Sequence, residues 1–106
     1  MSDVENKQES TEKGEFQLPP ASFETLAGIL ISQAQFALVS FETEEHKHEP
    51  DLPMARHLLD LLGVLEEKTK GNLTLEEERL LGNALTELRF RYVQAFEDSR
   101  KKSAKA

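Results

Sequence analysis

Three stretches of the chain repeat apolar residues at helical spacing, with polar runs between them. In the first, Phe23, Leu26, Ala27, Leu30, Ile31, Ala34, Ala37, Leu38 and Phe41 fall on one broad face of a helix. This predicts a helix from Phe23 to Ser40 or Phe41, with Ser22 as its N-cap. In the second, Ala55, Leu58, Leu59, Leu62 and Leu65 form the main stripe, and Met54, Leu61 and Val64 widen it. Asp51 or Leu52 caps that helix, Pro53 suits its first turn, and it should run to about Thr69. The third carries Leu80, Leu81, Ala84, Leu85, Leu88, Tyr92, Ala95 and Phe96, predicting a helix from Leu75 to Phe96 or slightly beyond. Phe90 and Val93 lie off its stripe. The expected fold is all-α: a three-helix antiparallel bundle, built as a helical hairpin plus an N-terminal helix.

The joint between the second and third helices is the most sharply written part of the chain. Lys68 and Lys70 place positive charge on a last turn, where the helix dipole favours it. Gly71 can then turn left-handed, and Asn72 and Leu73 carry the chain across. Thr74 and Glu77 have the spacing of a capping box, in which each side chain bonds the other residue's backbone N–H. Glu76, Glu77 and Glu78 complement the positive end of the new helix. Lys68 and Lys70 beside a helix start also suggest an anion site. Three glutamates at that start oppose it, and the glycine-rich pattern of a nucleotide loop is missing.

The first helix has more apolar surface than a monomer needs. Between Ser22 and Phe41 its only charge is Glu24, and Ile29, Phe36 and Val39 occupy the side away from the main stripe. Gly28 and Ser32 beside them would let another helix approach closely. A helix apolar on most sides is buried on most sides. Ile29, Ser32, Phe36 and Val39 are therefore the expected interface of a homo-oligomer, with a dimer favoured, or of a partner protein. The uncharged run is shorter than the ~20 apolar residues a bilayer requires, which argues against a membrane span. It also holds Ser32, Gln33, Gln35 and Ser40.

Composition narrows the chemistry. The 106 residues allow one small domain, and the net charge of -7 argues against a general nucleic-acid binder. There is no cysteine, so disulfides, thiolate metal sites and thiol catalysis are excluded, and a cytoplasmic setting fits. Residues 1–18 read as a disordered acidic tail, 19–97 as the single domain, and 98–106 as a short, frayed basic tail. Glu42 to Asp51 reads as a charged, solvated loop. Its His46 and His48 offer at most a weak divalent-metal site, because a firm one needs more fixed ligands. His57 sits at the edge of an apolar arc with no acid or nucleophile arranged for it. Arg56–Asp60, Glu66–Lys70 and Glu87–Arg91 have i,i+4 spacing for surface ion pairs. Arg89 and Arg91, interleaved with Phe90 and Tyr92, superficially suggest nucleic-acid contacts, but they point to different sides of a helix. No cofactor motif and no catalytic constellation is visible, so an enzyme is not expected.

Leu61-Leu62-Gly63-Val64-Leu65-Glu66-Glu67-Lys68-Thr69-Lys70-Gly71-Asn72-Leu73-Thr74, then Glu76 to Glu78 and Leu85 to Val93, resembles a small bacterial family known as a domain of unknown function, DUF1844. The resemblance extends back through Phe23–Leu38 and Asp51–Asp60, and Lys-Thr-Lys-Gly-Asn-Leu-Thr is its specific part. It implies a bacterial all-α protein of about this size. It carries over no reaction, ligand or catalytic residue.

Two function classes follow. One is a helical interaction protein that self-associates or docks on a partner through apolar helix surface. The other is a small regulator binding nucleic acid or an anionic ligand near Lys68 and Lys70 or near Arg89 and Arg91. The acidic tail yields a separate test. Deleting Met1–Gln17 should leave the melting temperature and helical circular dichroism nearly unchanged, because the segment has almost nothing to bury. A large drop in melting temperature would show that it packs on the domain.

Overall fold

Helix α1 begins where Ser22 turns its side chain onto the backbone. The Ser22 hydroxyl accepts from Thr25 N–H at 3.1 Å, satisfying one of the helix's free donors. In this computed structural model, which describes residues 17–105 and side chains as far as Lys102, α1 spans Phe23–Leu38. Two short strands follow, β1 (Phe41–Glu42) and β2 (Lys47–His48), then α2 (Leu52–Lys68) and α3 (Leu75–Lys105). Most of the tail read as disordered, 1–16, lies outside the described residues.

Each helix packs against the other two around one core. That core joins Ala34 and Ala37 of α1 with Ala55, Leu58, Leu59 and Leu62 of α2 and Leu81, Leu85 and Leu88 of α3. Phe23, Leu30, Ile31, Leu38, Leu73 and Tyr92 pack around it, half-buried. The contributions are unequal in size. The residues that α1 buries fully are all alanines, Ala27, Ala34 and Ala37, whereas α2 and α3 bury mostly leucines. Small side chains on one helix let the large ones of its neighbours fill the space between the axes.

Three expectations from sequence are corrected here. The predicted stripes are broader than the buried faces: Leu26, Phe41, Leu80 and Phe96 are exposed. Helix α1 stops at Leu38 rather than at Ser40 or Phe41, because its last carbonyls are taken by groups that leave the helical path. Val39 turns extended and donates its N–H to Phe36 O, and Asp51 N–H donates to Ala37 O at 2.7 Å. Helix α3 continues through the stretch read as a frayed tail and reaches Lys105. No Gly or Pro follows Phe96, and Glu97 pairs with Arg100, so nothing halts the helix there.

The stretch read as a loop is partly a hairpin. Phe41 pairs with His48 and Glu42 with Lys47, antiparallel. Thr43 closes the turn, its hydroxyl accepting from His46 N–H at 3.0 Å.

The joint forms as its sequence implies. Lys70 N–H donates to Glu67 O and Asn72 N–H to Thr69 O, and Gly71 has φ +86. Thr74 N–H donates to Glu77 Oε1 at 2.8 Å, and Glu77 N–H donates to Thr74 Oγ1 at 3.1 Å, a complete capping box. Arg56–Asp60 and Glu87–Arg91 form, but Glu66–Lys70 does not, since α2 ends at Lys68 and Lys70 has left its spiral. Gly71 has open space where a Cβ would stand, so the cost of a side chain there is backbone strain alone. Gly71→Val should cost at least 1–2 kcal/mol, roughly, and Thr74→Ala about 1 kcal/mol. Each should lower the melting temperature by several degrees in a thermal scan. Unchanged melting in either variant contradicts this account of the joint.

Candidate interaction face

Phe23, Leu30, Ile31 and Leu38 of α1 rest half-buried on the core, and other bulky residues of α1 and its C-cap point away from it. Leu26 and Ile29 are each 52% exposed, Phe36 57% and Val39 44%. Ser32 and Gln33 lie exposed between them. The expected interface residues Ile29, Ser32, Phe36 and Val39 therefore all remain accessible. Helix α2 extends the surface through Met54 (48% exposed) and Leu61 (38%). A shallow, mostly apolar depression of about 480 Å³ runs between the two helices, with Ser32, Gln33 and Phe36 on one bank and Met54 and Leu58 on the other.

His48 closes one end of that depression. Its Nε2 lies 3.0 Å from Phe36 O, which can only accept, so this nitrogen carries a proton. The imidazole packs on the Phe36 ring at 4.3 Å between centroids and stacks on Phe41 at 5.1 Å. His46 lies 5.8 Å from Phe41 and 6.5 Å from His48, so the three rings form a triangle. The two histidines expected in a solvated loop are thus part of an aromatic cluster at the C-terminal end of α1. The His48 nitrogen facing Phe36 O is not free to ligate a metal. Among the described residues, no three His, Asp or Glu side chains converge as ligands.

The charged candidates are dispersed. Lys70 and Arg89 border one cleft, together with Glu66, Glu67 and Glu78, so carboxylates outnumber cations there. Lys68 is exposed on the last turn of α2, and Asn72 is exposed in the turn beyond it. Arg91 is held by Glu87 at 2.8 Å and borders a different cleft, beneath the hairpin. His57 is exposed. Gly71, Thr74 and Glu77 serve the joint itself.

Sequence reasoning missed the hairpin and the cluster it builds. Strands of two residues are too short to show a period, and the partners Phe36 and His48 are far apart in the chain. It also missed a link between the hairpin and α3. Glu49 lies 3.2 Å from Lys47 and 3.6 Å from Lys102. The hydrogen bond from Lys47, then the charge of Lys102, holds the Glu49 carboxyl below its usual range. A carboxyl lowered in the folded state adds stability above its unfolded pKa and loses it as pH falls through the folded value. Acidification through the carboxylate range, or Glu49→Gln, should therefore loosen the end of α3. Amide exchange around residues 99–102 should quicken, while the global melting temperature at neutral pH stays nearly constant in the exposed-site variant. Unaltered exchange there would show that Glu49 does not hold the helix end.

Comparison with known proteins bears on one segment. No curated protein and no solved structure matches the chain. A family model described as "Domain of unknown function (DUF1844)" matches residues 20–94, which take in α1, the hairpin, α2, the joint and most of α3. The chain belongs to the DUF1844 family.

Proposed function

We propose that the protein is a small helical interaction module that self-associates through the outer face of α1. Its three helices form an antiparallel bundle behind that face, and a dimer is the favoured assembly. The observation that carries this reading is the outer side of α1: with the alanines inside and Phe23, Leu30, Ile31 and Leu38 half-buried beside them, Leu26, Ile29, Phe36 and, at the C-cap, Val39 are still about half exposed. A solvent-facing helix side would ordinarily be polar. Apart from Glu24 the helix is uncharged, so a chain of net charge -7 can meet a second copy there without like charges in contact. The proposal places the protein in the cytoplasm and assigns it no catalytic step. Among the described residues, no helix is long and apolar enough to cross a membrane.

The alternative, a regulator holding nucleic acid or an anion, has less behind it. Lys70 and Arg89 share their cleft with three glutamates, and Arg91 is engaged by Glu87. Either would weaken attraction for phosphate.

Light scattering at micromolar concentration and moderate salt tests the reading. The expected mass is twice that of the 12.0 kDa chain. Phe36→Glu and Ile29→Glu should each give a folded monomer, and Glu24→Ala should leave the assembly intact. A monodisperse wild-type monomer overturns self-association.

A further inference from the structure

The exposed bulky residues along the outer side of α1 and its C-cap are arranged symmetrically about two exposed polar ones. Leu26, Ile29, Ser32, Gln33, Phe36 and Val39 read the same in spacing from either end, with the midpoint between Ser32 and Gln33. From this we infer that α1 pairs with α1 of a second copy in antiparallel register, about a two-fold axis through the Ser32–Gln33 step. The inference rests on the proposed self-association and specifies its geometry.

In this register Ile29 of each copy meets Phe36 of the other, and Leu26 meets Val39. The small Ser32 lies at the crossing, where close approach of the two axes is needed. A two-fold contact requires one patch to complement itself, and a symmetric row of knobs does so. The depression beside Phe36, with Met54 and Leu58 on its far bank, then receives Ile29 of the other copy. His48 walls its end, with Phe41 stacked on the imidazole.

Two further observations favour this occupant and this direction. Taking about 150–200 Å² for a fully exposed large side chain, Leu26, Ile29, Phe36, Val39, Met54 and Leu61 leave roughly 450–600 Å² of apolar surface uncovered. That is most of the ~800 Å² that each partner contributes to a standard interface. It lies in the upper half of the ~300–600 Å² of a typical monomer's largest patch, which is often functional. Charge sets the direction. Parallel helices would set like dipole ends side by side, whereas the antiparallel register brings unlike ends together.

The chain has no cysteine, so single cysteines can map the pairing. Ser32→Cys stands beside its own mate at the axis, within reach of the ~5.5 Å Cα separation of a disulfide. Leu26→Cys stands 13 residues along the helix from its mate's position, about 20 Å away at 1.5 Å per residue. Under mild oxidation, Ser32→Cys should convert to covalent dimer and Leu26→Cys alone should not. A mixture of Leu26→Cys and Val39→Cys should yield the mixed dimer. All three sites are exposed in the single chain, and circular dichroism checks that each variant is folded. Self-linking of Leu26→Cys as fast as Ser32→Cys would overturn the antiparallel register. So would failure of Ser32→Cys to link while light scattering reads a dimer, and in both cases self-association itself would stand. A wild-type monomer would remove both.

Discussion

Ala27, Ala34 and Ala37 set the terms for the whole molecule. By burying its smallest side chains, α1 lies close against the leucines of α2 and α3. That arrangement, flanked by the half-buried Phe23, Leu30, Ile31 and Leu38, fills the core. It leaves Leu26, Ile29, Phe36 and Val39 on the outside, where water surrounds about half of each. Had the helix been rotated to bury Ile29 and Phe36, the leucine faces of α2 and α3 would have had to move apart. Dense packing resists such a change.

The C-terminal end of α1 is the second fixed point. A helix ends with carbonyls that need donors. Here Val39 N–H, His48 Nε2 and Asp51 N–H supply them, the first two at Phe36 O and the third at Ala37 O. The bond from Asp51 also fixes the start of α2, since the Asp51 side chain accepts from Met54 N–H at 3.1 Å. One residue therefore terminates α1 with its backbone and begins α2 with its carboxylate. The hairpin spans the interval between those helices, and its rings settle on Phe36 as a result.

Local rules made much of this legible. The joint could be read in full, because Gly71, Thr74 and Glu77 act on backbone groups within three residues of themselves. Helices α2 and α3 were legible from leucine spacing, and so was the exposure of Ile29, Phe36 and Val39. The direction in which α1 turns its alanines was not. Spacing marks Leu26 and Ala27 as equally apolar neighbours, and only packing decides that Ala27 goes inside. The hairpin depends on rings brought together from Phe36, Phe41 and His48, a contact that no local pattern encodes. The end of α3 was misplaced because the basic composition after Phe96 resembles a tail, yet its residues are good helix formers.

The alanine face has a thermodynamic corollary. Stabilisation from burial grows with the apolar area removed from water, and a methyl group removes little. Residue for residue, the fully buried side chains of α1 therefore contribute less than those of α2 and α3, which are also tied to each other by a turn of a few residues, and the half-buried Phe23, Leu30, Ile31 and Leu38 make up part of the difference. Stability within a fold follows such differences, and segments with less buried area open at lower free energy. In an unpaired chain α1 should thus be the first segment to separate and the first accessible to a protease. Covering its outer face would close that route, so assembly would govern the lifetime of the chain as well as its shape.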